Sequence, residues 1–180
     1  MKYIALLRGI NVGGNNKVSM AELRVCFEGA GFTNVSTYIN SGNVLFESSE
    51  TSDAKLVDMC EAAIEGKFGF RVICAVISAK ELKDSMSHAP DWWNKDAPVV
   101  KHNALFVIAP KTAREIMDEV GEPKLEYEQV AAHGRVIFWS ATFKTFGRTQ
   151  YSKIVGMPAY QFVTIRNSNT AKKLVELAES

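Results

Sequence analysis

The sequence predicts an α+β chain of two ferredoxin-like halves. Each is a βαββαβ unit with a trailing helix, its antiparallel sheet carrying helices on one face. Three observations predict this. The order strand–helix–strand–strand–helix–strand runs through residues 1–88. The same order starts again after "HAPDWWNKDAPVVK", a stretch rich in Pro, Asp and Trp. The two closing pieces, "VICAVISAKELKDSM" and "FVTIRNSNTAKKLVELA", both read as strand, polar cap and amphipathic helix. The expected organisation is therefore an N-terminal half at 1–88, a linker at 89–101 and a C-terminal half at 102–180.

Taken in order, "KYIALLRGI" reads as a buried strand ending near Arg8. Ser19-x-x-Glu22 is a capping box, with Val18 and Leu23 placed as a hydrophobic staple, so a helix starts there. Met20, Leu23, Phe27 and Ala30 recur at helical spacing before Gly31. "NVSTYINSGNVLFES" reads as a hairpin turning at Ser41-Gly42. With Asn40 paired to Asn43, one face carries Val35, Thr37, Ile39, Val44 and Phe46 as core. The other carries Ser36, Tyr38, Asn40, Asn43 and Leu45, on the side a ferredoxin-like unit leaves open to a ligand or to the other half. A helix over about 53–68, the strand "FRVICAVIS" and a short helix after Ser78 complete the half. The second half reads as the strand "KHNALFVIA", a helix from about Pro110 to Val120 and a hairpin turning at His133-Gly134. A helix within 148–156, the strand "QFVTIRN" and a helix over about 168–179 follow.

With 180 residues, 47% hydrophobic and 23% charged, the composition is that of a globular chain able to bury a core. No signal-peptide core and no run approaching about 18 apolar residues is present, so no membrane association is expected. Cys26, Cys60 and Cys74 stand apart and read as reduced thiols of a cytoplasmic protein. Charge is segregated. Met1–Ala21 holds Lys2, Arg8 and Lys17 without an acid, and Gln129–Val175 holds seven basic residues without one. Two acid-free basic stretches favour an anionic ligand.

"RGINVGGNNK", Arg8 to Lys17, lies between the first strand and the first helix, where phosphate loops occur. It is not a P-loop, because Asn15 stands where the lysine belongs, and the dinucleotide G-x-G-x-x-G is absent. Gly13-Gly14 can still take positive φ and present N–H groups beside Arg8 and Lys17. The alternative is a tight turn whose asparagines bond their own backbone. Tyr3 and Tyr38 are the only candidate base platforms and the strand "NVLFE" does not match an RNA-recognition module, so a single-stranded nucleic-acid reading rests on the basic residues alone. His88, His102 and His133 fall in different elements with neither metal-ligand spacing nor an evident carboxylate partner. No catalytic residue, metal ligand or cofactor is assigned from them. Trp92 and Trp93 read as anchors of the linker.

The segments "ALLRGINVGGNNKVSMAELR", "YINSGNVLF" and "TIRNSNTAKKL" together resemble the bacterial domain-of-unknown-function 1697 family. Its pattern falls on Arg8–Gly14, Tyr38–Val44, Ser152-Lys153-Ile154 and Arg166–Ala171, with Ser168 and Ala171 departing from it. The resemblance implies an α+β fold of ferredoxin-like halves and carries no activity. Its signature segments coincide with the acid-free stretches. The expected site is therefore a basic cleft between the halves for a phosphorylated small molecule. Arg8, Lys17, Lys153 and Arg166 would supply charge, Gly13 and Gly14 N–H groups, and Asn11, Tyr38, Asn40 and Asn43 orientation. The other readings are a protein-interaction module and single-stranded nucleic-acid binding.

Overall fold

The computed structural model describes residues 1–14, 16–95 and 98–180; Asn15 of the glycine loop and Asp96 and Ala97 of the expected linker lie outside the described residues. The chain begins β1 (Lys2–Leu7), α1 (Met20–Gly29), β2 (Thr33–Tyr38), β3 (Asn43–Glu47), α2 (Asp53–Phe68), β4 (Cys74–Ser78) and α3 (Ala79–Ser87). It continues β5 (Val100–Val107), α4 (Ala113–Val120), β6 (Glu128–His133) and β7 (Val136–Thr142). Three 3₁₀ segments (Phe146–Arg148, Tyr151–Gly156, Pro158–Phe162), β8 (Val163–Asn167) and α5 (Ser168–Glu179) follow. The strands form two four-stranded antiparallel sheets, ordered β2-β3-β1-β4 and β6-β7-β5-β8, an α+β architecture. Two compact units result: Met1–Lys80 with Glu176–Ser180, and Glu81–Val175. Helices α3 and α5 each begin in one unit and finish in the other. The stretch 89–101 falls inside the second unit. There Trp93 is buried, its Nε1 donating to Asn103 O at 2.8 Å and its ring edge-on to Phe138 at 5.0 Å.

In the first sheet the pleat sorts residues strictly. Tyr3 opposes Phe46 and Ala5 opposes Val44 on the face covered by α1, where Phe27 meets Phe46 at 5.6 Å. Ile4, Leu6, Leu45 and Ile77 occupy the opposite face and are buried as well, so these side chains do not form the open ligand-facing surface that was one of the two expectations for that face. The physical reason is its composition: a sheet with apolar side chains on both faces keeps both from water.

The hairpin register differs from the expected one by two residues: Tyr38, not Asn40, pairs with Asn43. A two-residue shift preserves the face of Ser36, Thr37 and Tyr38 against β3, so the core side there is unchanged, while an irregularity between Thr33 and Ser36 resets the register before them. It lengthens the loop to 39–42, with Ile39 at φ 49° and Gly42 at φ 76°. Ile39 leaves the predicted core face and is exposed. The buried Asn43 fixes the turn, its Nδ2 donating to Tyr38 O and to Ser41 Oγ, each at 3.0 Å. Leu7 N donates to Gly42 O at 2.8 Å, drawing the turn onto β1.

The helices begin where side-chain oxygens accept backbone N–H groups. Ser19 caps α1 through Glu22 N, and Ser52 caps α2 through Lys55 N. Helix α4 starts at Ala113 rather than near Pro110, because Thr112 and Glu115 close a reciprocal capping box. The α-helix expected within 148–156 is instead 3₁₀ structure. Here the buried Glu128 carboxylate accepts from Lys124 N (2.9 Å), Gln150 N (2.6 Å) and Tyr151 N (3.2 Å), while Thr149 Oγ1 accepts from Ser152 N at 3.1 Å. Amides held by side chains no longer drive a continuous i→i−4 ladder, and Gly147, Gly156 and Pro158 interrupt one in any case.

Two stability measurements check these assignments. A Cβ at Gly42 would lie 2.7 Å from both Ile10 Cδ1 and Leu7 Cβ, at a φ that side chains rarely adopt. Gly42→Ala is therefore expected to cost about 2–4 kcal/mol in urea unfolding, and a loss below about 1 kcal/mol would contradict this packing. Glu128→Ala strands three backbone donors and is expected to cost about 2–4 kcal/mol; a neutral result would remove Glu128 as the anchor of the 3₁₀ region.

Candidate functional site

The described residues of the glycine loop make repeated left-handed excursions. Gly9, Asn11, Gly13, Gly14 and Asn16 all have positive φ, at 75°, 54°, 59°, 81° and 46°. Two of these are asparagines, for which the conformation is uncommon and requires local compensation. The side chains provide it. Asn11 Nδ2 donates to Val18 O (2.9 Å) and Asn40 O (3.0 Å), and Asn11 Oδ1 accepts from Val18 N (2.8 Å). Asn16 Nδ2 donates to Gly9 O at 3.1 Å, and Asn11 N donates to Asn16 O at 3.1 Å. The asparagines thus do bond backbone, as the turn reading expects.

Beyond Gly13 and Gly14 there is room: no heavy atom lies within 4 Å of where a Cβ would stand. A surface cleft of about 750 Å³ opens at this point, bringing together Asn11, Gly14, Lys17 and Asn40, four of the residues singled out from sequence, with the start of α1. Glu22 lines the same cleft, so a carboxylate accompanies the exposed Lys17.

The remaining sequence candidates are placed otherwise. Arg8 is half-buried, its backbone N donating to Ile73 O at 2.9 Å. Tyr38 is half-buried at the end of β2, and Asn43 is buried in the hairpin. Lys153 is exposed on a 3₁₀ segment of the second unit. Arg166 is in β8 of that unit and 8% exposed, its Nη1 donating to Ile165 O. Burial pulls its guanidinium down to about 10, so it remains charged at neutral pH while turned away from solvent. Tyr3 is 2% exposed and stacked on Phe46, which removes it as a base platform.

Sequence reading missed two features. A polar cleft of about 480 Å³ in the second unit is lined by Lys95, Lys101 and His102 together with Asn167, Ser168 and Asn169 at the start of α5. Within it the Asn167 side chain caps α5, accepting from Thr170 N at 2.8 Å, so part of the closing signature segment serves helix initiation. His102 is held by Ser140 Oγ and Lys95 O, and burial lowers its pKa, keeping it neutral. The second feature corrects the expectation that the histidines lack a carboxylate partner: Asp84, His88 and His133 meet, with donor atoms within 4.8 Å of one another. The helical i,i+4 spacing of Asp84 and His88 was visible in sequence; the approach of His133, 45 residues beyond His88, was not. The three cysteines are free and buried, with Cys26 raised by desolvation and Cys74 raised first by its hydrogen bond to Cys60. These are inert thiols.

Residues 1–138 match the family model described as "Protein of unknown function (DUF1697)". Conserved bacterial protein SP0830 from Streptococcus pneumoniae, a solved structure, is similar over nearly the whole of both chains. Its identity is 31%, with 99% of this chain and 98% of that chain covered and a TM-score of 0.87. No curated protein matches the chain. The glycine loop, the Tyr38–Val44 hairpin and both four-stranded sheets thus have their setting: the chain belongs to the DUF1697 family of proteins of unknown function.

Proposed function

We propose that this protein binds a phosphorylated small molecule at the cleft of the glycine loop. The observation that carries the reading is Gly14, the second of the open left-handed Gly13-Gly14 pair, lining a cleft of about 750 Å³ beside Lys17. Successive backbone N–H groups in such a turn form an anion-binding concavity, and a lysine at its edge adds a full charge. The start of α1 lines the same cleft and contributes its partial positive charge. Glu22 narrows the class: a carboxylate opposes a bare anion but accepts hydrogen bonds from hydroxyls. A sugar phosphate satisfies both groups better than a nucleic-acid backbone does. Asn11 organises the cleft rather than contacting phosphate, since its amide is committed to Val18 and Asn40.

The finer architecture belongs to the same reading. We take each sheet as that of a ferredoxin-like half, supported by the antiparallel orders β2-β3-β1-β4 and β6-β7-β5-β8, in which the first strand of each set lies between its third and fourth. The second such half has 3₁₀ segments where the first has α2. No helix among the described residues is long and apolar enough to cross a membrane. The three free, buried cysteines support assignment to a reducing compartment such as the cytoplasm.

Thermal unfolding at low salt tests the site, with inorganic phosphate, sugar phosphates, nucleotides and a short single-stranded oligonucleotide as probes. A sugar phosphate at about 100 times its Kd is expected to stabilise the parent by about 2.7 kcal/mol. Lys17→Ala should lose that shift while Lys153→Ala keeps it. A full shift in Lys17→Ala would move the site away from the loop. Stabilisation by the oligonucleotide alone, steeply weakened by salt, would replace the reading with nucleic-acid binding. No shift with any anion would leave a protein-interaction module.

A further inference from the structure

We infer that Asp84, His88 and His133 form a binding site for a zinc ion in the second unit. The three residues come from two elements whose approach is enforced by packing. Asp84 is in the last turn of α3, and His88 follows it by four residues, its backbone N bonded to Asp84 O at 3.3 Å. His133 ends β6, immediately before Gly134 at φ 56°. A Cβ at Gly134 would stand 3.1 Å from Oγ of the buried Ser85, so the bare glycine lets the hairpin turn sit directly on the helix. Asp84 and His133 each precede a residue of that contact by one, so the carboxylate and the His133 imidazole are brought together, with His88 one helical turn on from Asp84.

The three side chains gather their donor atoms within 4.8 Å of one another. His133 Nε2 lies 2.9 Å from Asp84 Oδ2, and His88 Nδ1 lies 3.7 Å from Asp84 Oδ1. Zinc bonds of about 2.0–2.2 Å at tetrahedral angles place neighbouring donors roughly 3.3–3.5 Å apart. The two separations, each to a different oxygen of Asp84, bracket that spacing, and a rotation of the carboxylate brings one oxygen to both histidines. Two imidazole nitrogens and one carboxylate oxygen suit zinc, and a hard cation such as magnesium prefers oxygen alone. Charge permits it: Arg135, the nearest cation in sequence to His133, is paired with Glu81 at 3.5 Å, which leaves the Asp84 carboxylate to the histidines. All three side chains reach solvent, with relative exposures of 58% for Asp84, 55% for His88 and 37% for His133. Three protein donors leave a fourth position for water, an open and exchangeable site.

The two imidazole rings stack, their centroids 4.0 Å apart and their planes within 2° of parallel. A metal ion lies near the plane of each ring that ligates it, and parallel rings at this spacing cannot both satisfy that. Binding therefore splays the stack. His88 Nδ1 also gives up its contacts to Asp84 O (2.9 Å) and Ser87 Oγ (3.2 Å), or ligates through its other nitrogen.

Isothermal titration of zinc chloride into the full chain, stripped of metal beforehand, tests the site, with magnesium chloride as the control ion. The parent is expected to take up one zinc per chain and no magnesium. His88→Ala and His133→Ala should each bind zinc at least about tenfold more weakly, since even displacing an outer partner of a metal ligand costs that much. The histidine ring resonances of both residues should move together on zinc addition, reporting the opened stack. His133→Gln, closer in size and polarity, repeats the test should His133→Ala fail to fold. Zinc uptake of unchanged affinity in the histidine variants would place the ion elsewhere and overturn the assignment. So would no uptake by the parent at concentrations up to about 1 mM.

Discussion

The amide of Asn11 is the interaction on which the loop end of the first unit depends. It reaches two segments that the chain separates widely, accepting from and donating to the backbone of Val18 while also donating to Asn40 O. Val18 leads directly into α1, and Asn40 lies in the turn between β2 and β3. A single side chain therefore joins the glycine loop, the start of a helix and the tip of a hairpin. An amide suits this task, because only a side chain carrying both donors and an acceptor can satisfy an N–H and two carbonyls at once. That it does so from φ 54° explains why asparagine, the residue most tolerant of this conformation after glycine, stands there.

Around that clamp, polar residues divide into those that build and those that remain available. Asn43 closes the hairpin, Asn16 ties back to Gly9, Asn167 starts α5 and Glu128 organises the 3₁₀ region. Each holds a backbone group that the irregular chain there leaves without a ladder partner, so polar residues serve the fold as well as a ligand. Of the residues selected from sequence, Gly14 and Lys17 remain facing a cleft with their chemistry uncommitted to the fold's own backbone bonds among those described above. The functional reading rests on this remainder. It is smaller than the polarity of the signature segments suggested.

The two inferred sites arise by different routes. The loop cleft is largely local: the stretch from Arg8 to Val18 supplies its positive-φ turns, its lysine and its clamp, and Asn40 joins it from the hairpin. The Asp84, His88 and His133 cluster is a product of packing, assembled because a glycine turn lies against a buried serine. A binding loop can be read from spacing, whereas a cluster drawn from a helix end and a strand end needs their approach to be known.

By itself, the sequence determined the order of the strands, the core side of the first hairpin and the start of α1. Alternation and capping are encoded within a few residues, so the Ser19 cap and the core face of the hairpin are legible without a neighbour. It also located the glycine loop and the candidacy of Asn11, Gly14, Lys17 and Asn40, because left-handed turns advertise themselves in Gly and Asn. Tertiary structure decided the rest. The hairpin register moved by two residues because Gly42 packs on Leu7 and Ile10, and the helix expected within 148–156 became 3₁₀ structure because Glu128, more than twenty residues earlier, holds its amides. Arg166 was withdrawn from the surface and His133 was delivered to His88 for the same reason: burial and long-range contact depend on what lies across the fold, which no local pattern records.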